Sequence, residues 1–206
     1  MKFIKKVFLY LGLASLCISL GYGIEEMKME KISFKSGENI LKGILFTPSE
    51  KKKKYPAITI IGPVAYVKEQ APLLYAQQLV KKGYKVVIFD ATYHGESEGE
   101  PRRYENGEQK TKDIQASISY LETLKDVDKS AIHGVGVCQG VNWMTKALNE
   151  DIRLKSIAIV AGHYLVPKIS ELYTGGKEKL FKRLVKAKEA QTIFETTGIV
   201  EYIPIV

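Results

Sequence analysis

Cysteine is scarce in this chain: Cys17 and Cys138 are the two present among 206 residues. Cys17 falls in a segment expected to be removed, which leaves Cys138 alone and excludes an internal disulfide framework. A lone thiol in an oxidising compartment is either buried or chemically used. Histidine is scarce as well: His94, His133 and His163 are scattered and no paired cysteines accompany them, so metal-ligand spacing is absent. There is no glycine-rich dinucleotide loop either. No metal and no cofactor is therefore expected. No acidic residue precedes Glu25, and the apolar run Val7–Leu20, 14 residues long, is too short to span a bilayer comfortably. No internal repeat and no long low-complexity stretch is present.

What the N-terminus does contain is an export signal pattern. Lys2, Lys5 and Lys6 form a basic region, Val7–Leu20 the apolar region, and Gly21-Tyr22-Gly23 places small residues before a cut after Gly23. The expectation is an exported protein, periplasmic or extracellular. A lipid anchor at Cys17 is the alternative, although Leu16 stands where a small residue is needed. Loss of Lys2, Lys5 and Lys6 would lower the formal charge from +8 to +5. The remaining positive charge concentrates in Lys51–Lys54 and Lys177–Lys188. Four lysines between two strands form a solvated loop tip, so no nucleic-acid partner is expected.

The rest is of a size for one globular domain with its own core. Met27–Phe34 and Ile40–Phe46 alternate apolar and polar around Ser36-Gly37-Glu38-Asn39, a hairpin signature. Tyr55–Ile61 and Lys85–Asp90 are short apolar runs, as expected for strands buried on both faces. Between them a helix starts near Pro72, puts Tyr75, Ala76, Leu79 and Val80 on one face, and stops at Gly83. A loop rich in glycine, serine and glutamate runs from Thr92 to about Gly107. Helix Thr111–Leu124, strand Ala131–Val137, helix Gln139–Asn149 and strand Lys155–Ala161 continue the alternation. This pattern predicts an α/β fold: a mostly parallel sheet with an antiparallel N-terminal hairpin and helices on both faces. After Ala161 the pattern changes to a basic amphipathic helix, Lys177–Thr192, and a mixed segment from Ile193 to Val206.

One motif carries chemistry. Gly136-Val137-Cys138-Gln139-Gly140 lies between a predicted strand and a predicted helix. A nucleophile on such a sharp turn stands clear of the backbone, and glycines two residues to either side admit the close approach of strand and helix. The helix N-terminus beneath Cys138 attracts negative charge. The Gln139 N–H points at a developing oxyanion. Read without any family in view, the same residues also fit a buried structural cysteine in a glycine-rich turn.

The chain resembles the dienelactone-hydrolase-like branch of the α/β-hydrolase superfamily. Four stretches carry the resemblance over roughly residues 28–165: Gly62-Pro63-Val64-Ala65-Tyr66-Val67-Lys68-Glu69-Gln70, like the family's oxyanion loop; His94-Gly95-Glu96-Ser97-Glu98-Gly99-Glu100-Pro101-Arg102, like its loop after the fourth strand; Val127-Asp128; and the elbow in its cysteine version. The resemblance implies an α/β-hydrolase fold and a small-molecule acyl substrate. It implies that Cys138 is the nucleophile and that Gln139 supplies one oxyanion N–H. The second comes from Val64 first and Ala65 second, since Pro63 has no N–H. It also implies that His94 fixes its loop rather than reacting.

The resemblance further implies a catalytic acid and a histidine after later strands than those seen here. The expected organisation is thus a signal peptide over 1–23, the N-terminal part of a hydrolase core over 24–162 with the last core strands missing, and the start of a lid or insertion over 163–206. His133 is expected at the far end of the sheet from Cys138. His163 follows the strand beside the elbow strand and is the candidate substitute base, with an anchoring histidine as the other reading. Three functions follow: a hydrolase of an ester, lactone or thioester through acyl-Cys138; a truncated, inactive fragment or pseudoenzyme; and a module that binds anionic surfaces through Lys177–Lys188.

Overall fold

The computed structural model describes residues 27–162, 164 and 166–203. The signal-peptide segment, Cys17 and His163 lie outside the described residues. The chain order is β1 (Lys28–Ser36), β2 (Asn39–Thr47), β3 (Tyr55–Ile61), α1 (Ala71–Val80), β4 (Lys85–Phe89), α2 (Gly107–Thr123), β5 (Val127–Val137), α3 (Gly140–Glu150), β6 (Leu154–Val160), α4 (Pro167–Thr174) and α5 (Lys177–Thr197). The strands form one six-stranded sheet in the order β1-β2-β4-β3-β5-β6. β1 pairs antiparallel with β2, and β2 with β4; β4, β3, β5 and β6 run parallel. The expected α/β architecture, with its N-terminal hairpin and parallel remainder, is what the chain forms.

Two-residue periodicity sorts the strand side chains to opposite faces. Ala57 and Ile61 of β3 and Val87 and Phe89 of β4 share one buried cluster with Ile114, Ile118 and Leu121 of α2 and Trp143, Met144 and Ala147 of α3. Ile58 and Ile60, with Val86 and Ile88, face the other way into a cluster closed by Ala76 and Val80 of α1. Each fully buried aliphatic side chain here contributes about 1.5–3 kcal/mol of apolar burial. The one polar position facing α2 from the middle of β3 is also satisfied, because the Thr59 and Ser117 hydroxyls meet at 2.6 Å.

Several boundaries differ from the sequence expectation. α2 begins at Gly107 rather than Thr111, because the Asn106 side chain accepts the Gln109 N–H at 3.0 Å and caps the helix. β5 begins at Val127 rather than Ala131, with an irregularity in its pairing to β3 after Tyr55↔Val127. His133 is therefore mid-strand rather than near a strand start. α5 continues to Thr197, and α4 is a helix that the apolar spacing did not announce. No described helix is long and apolar enough to cross a membrane.

Candidate active site

β5 delivers Cys138 to the carboxyl end of the parallel strands. Its φ is +54°, the left-handed region that a residue with a Cβ enters only under constraint. Three contacts supply that constraint. The Cys138 N–H donates to Val160 O at 2.9 Å, which ties the turn to β6. The Val141 and Asn142 N–H groups donate to the Cys138 and Gln139 carbonyls at 3.3 and 3.0 Å, which starts α3. A Cβ on Gly136 would lie 2.8 Å from Val141 Cα, and one on Gly140 would fall on the Gly62 and Ile61 carbonyl oxygens. The two glycines thus let the strand, helix and β3 loop close on the cysteine. The thiol is free and half-buried, packed against the α1-side apolar cluster.

Gln139 makes no side-chain cap, and the first amides of α3 at Val141 and Asn142 are met by backbone carbonyls of the turn itself. The Gly62–Gln70 loop lies against this turn through Gly62. Tyr66 is buried beneath Gly62 and donates its hydroxyl to Phe89 O at 3.0 Å. Its own acidity is suppressed by burial. Among the described residues no acceptor meets the N–H of Gln139 or of Val64. Ala65 differs: its φ is +52°, and its N–H donates to Glu105 Oε1 at 2.6 Å. Of the two second-donor choices, Ala65 is engaged elsewhere and Val64 is open.

The loop after β4 is held by buried polar groups. The Asp90 carboxylate accepts the Lys68 N–H and Nζ, both at 2.8 Å, and the Glu96 N–H at 2.9 Å. Burial disfavours the Lys68 ammonium, but its bonds to Asp90, Glu96 and Glu69 outweigh that and raise its pKa. Ser97 Oγ donates to Asp90 O and accepts the Lys42 N–H, which fastens the loop to β2. Arg102 donates to the Ser97, Gly99 and Gly95 carbonyls. Asp113 of α2 accepts from Ser36, Thr92 and Gln109. Burial still leaves its pKa raised. These contacts hold the loop after β4 against β2, α2 and the β3 loop.

None of the described histidines reaches the thiol. His94 Nδ1 lies 3.0 Å from Thr92 O, and Nε2 lies 3.0 Å from Glu105 Oε1 without a well-directed hydrogen bond. His133 pairs with Ser156 Oγ at 2.9 Å, five residues before Cys138 on an extended strand, roughly 16 Å along the chain. Sequence reasoning missed Glu105, Lys110 and Asp113. The first sits in an irregular loop and the others in a mixed helical stretch, with no motif to mark them.

The geometry, a left-handed cysteine between a central parallel strand and a helix, sits within a stretch that matches a known family. Residues 41–177 match the model of the dienelactone hydrolase family. The chain belongs to the dienelactone hydrolase family. It is 35% identical over 163 residues to the Escherichia coli protein YcjY, a match that takes in 77% of this chain and 52% of YcjY. It is 31% identical over 134 residues to PA2218 of Pseudomonas aeruginosa, covering 64% of this chain and 36% of that protein. The crystal structure of PA2218 superposes with a TM-score of 0.80 at 25% identity, over 90% of this chain and 59% of that one. The dienelactone-hydrolase-like promiscuous phosphotriesterase P91 shares the fold with a TM-score of 0.57 at 18% identity, over 68% of this chain and 61% of that one. The chain spans about half the length of YcjY and about a third of PA2218 in the sequence matches.

Proposed function

We propose that this dienelactone hydrolase family member is a hydrolase domain that transfers the acyl group of an ester, lactone or thioester to Cys138. The observation that carries the reading is the left-handed Cys138 on the β5–α3 turn, with strained backbone held by neighbours on both sides. The sulfur attacks the carbonyl carbon, and the carbonyl electron pair moves to oxygen. The Gln139 and Val64 N–H groups, which meet no acceptor among the described residues, receive that oxyanion. Collapse expels the alcohol or thiol, which takes up a proton, and leaves a thioester on Cys138. Water then attacks the thioester and releases the acid.

Proton transfer needs a base and acid near the sulfur. His94 and His133 are both committed elsewhere, so His163 is the remaining histidine for this role. That commitment also favours a second reading: a chain that acylates but turns over slowly or not at all. Export through residues 1–23 is part of the proposal, and places Cys138 where a thiol must be sheltered by its site.

Stopped-flow release of p-nitrophenolate from p-nitrophenyl acetate tests this. The expected result is a burst approaching one equivalent, absent in Cys138→Ala. A following steady rate lost in His163→Ala supports turnover, whereas a burst with no steady phase supports the second reading. Equal traces for wild type and Cys138→Ala would refute acyl transfer.

A further inference from the structure

Glu105 stands in the loop just before the Asn106 cap of α2, yet its carboxylate is drawn inward to three partners. Oε1 accepts the Ala65 N–H at 2.6 Å and lies 3.0 Å from His94 Nε2. Oε2 accepts Lys110 Nζ at 2.6 Å. Lys110 is 1% exposed, with its ammonium 4.3 Å from the Trp143 ring and 5.7 Å from the Tyr66 ring. Trp143 belongs to the helix that begins at the elbow, and Tyr66 closes the loop facing it. One carboxylate and one lysine therefore join α2, α3, the β3 loop and the β4 loop.

The position of that contact matters. Ala65 is left-handed, a conformation that a residue with a Cβ keeps only where its surroundings impose it. A charge-assisted bond from its N–H to a carboxylate imposes it. Holding that N–H also fixes the peptide plane that follows Val64, so the Val64 N–H, in the plane before it, is set by the two dihedrals of Val64 alone. A bare carboxylate next to a developing oxyanion would oppose catalysis. Here Lys110 neutralises the carboxylate from the far side.

We propose that Glu105 is the positioning residue of the oxyanion loop: through Ala65 it fixes the backbone that presents the Val64 N–H to the Cys138 elbow. This rests on the acyl-transfer reading above. It assigns the two neighbouring amides different tasks, Ala65 to the scaffold and Val64 to the substrate oxygen.

The test compares two reactions of one sulfur. Acylation by p-nitrophenyl acetate builds an oxyanion, whereas alkylation by iodoacetamide displaces iodide and builds none. In Glu105→Ala, which removes the acceptor of the Ala65 N–H, burst acylation is expected to slow about 10- to 100-fold, below the loss on deleting an oxyanion donor outright. Alkylation is expected to stay within about twofold, since its displacement makes no use of those donors. Because Glu105→Ala leaves Lys110 buried without its counter-ion, the double variant Glu105→Ala/Lys110→Met is measured beside it and should show the same split. Amide hydrogen exchange gives an independent readout: Ala65 N–H is expected to be protected in the wild type and to lose protection in both Glu105→Ala variants, which lack any side-chain acceptor for it. Equal slowing of both reactions, or no slowing of acylation, would overturn the positioning role, as would rapid exchange of Ala65 in the wild type. A burst indifferent to Cys138→Ala would instead sink the acyl-transfer reading and with it the purpose of this contact, while Ala65 protection would still report the contact itself.

Discussion

Cys138 and Ala65 each hold a left-handed backbone with a side chain attached, and neither does so on its own account. For Cys138 the constraint is its hydrogen bonds to β6 and the start of α3, and the absence of two neighbouring Cβ atoms permits it. In Gly140→Ala the new methyl meets backbone carbonyls of Gly62 and Ile61, the latter at 2.8 Å, and backbone does not rotate aside as a flexible side chain would. The expected cost is about 2–3 kcal/mol, as for overpacking of a tight interior. Burst acylation should be lost as well, because the loop must move off the turn. Chemical denaturation and the burst assay check both; an unchanged midpoint would mean that the elbow has slack. Glu105 makes a second prediction through pH. Burial alone would raise its pKa, but the His94 contact and the Lys110 charge and hydrogen bond hold it down to about 2 from 4.5. A depressed carboxylate stabilises the fold fully above its unfolded value and loses that contribution as pH falls through the folded value. The difference in melting temperature between wild type and Glu105→Gln should therefore shrink from about pH 4.5 towards pH 2. Asp113, whose raised pKa has the opposite sign, is common to both proteins and cancels in the difference. A gap that stays constant over that range would contradict the assignment.

Elements were legible where burial wrote a period into the sequence. Ile58, Ile60, Val86 and Ile88 announce themselves within near-continuous apolar runs, and Ile114, Ile118 and Leu121 by helical spacing, because water exclusion selects them. The first turn of α2 was not legible, although Lys110 and Thr111 are among its most buried residues. A buried lysine looks like a solvated one until its partner is known, and Glu105 is separated from it by a cap that breaks any pattern. The elbow was legible because strain there demands glycine; its supports were not, because hydrogen bonds to backbone amides accept many residue types. The cap itself can be weighed. Asn106→Ala removes the side-chain acceptor of the Gln109 N–H and should cost about 1 kcal/mol. It should leave Lys110 and Glu105 paired, so iodoacetamide and ester reactivity should both persist. Thermal melting alone would report it, and a loss near zero would place the start of α2 further along.

At the scale of the whole molecule, apolar surface is distributed unevenly. The α1, α2 and α3 faces are closed on the sheet, while β6 lies at its edge with Ile159 half-exposed. α4 and α5 pack on each other and leave Leu172 and Phe181 77% and 65% exposed, with Leu184 and Ile203 also open. Apolar surface of this extent, in a chain whose described sheet ends at β6, drives association. The same helix carries Lys177, Lys179, Lys182, Arg183, Lys186 and Lys188, so like copies repel at low ionic strength. Salt shortens the screening length from about 10 Å at 0.1 M to about 3 Å at 1 M. Self-association of the purified chain should therefore rise with both protein concentration and salt, and Leu172→Lys/Phe181→Lys should lower it. Sedimentation velocity at several salt concentrations measures this. Attachment of the basic helix to anionic vesicles would follow the opposite salt dependence, weakening as phosphate and lysine are screened from each other. A chain that stays monomeric at all salt concentrations while binding such vesicles at low salt would show that the charges of α5, and not its apolar side chains, determine what this surface meets.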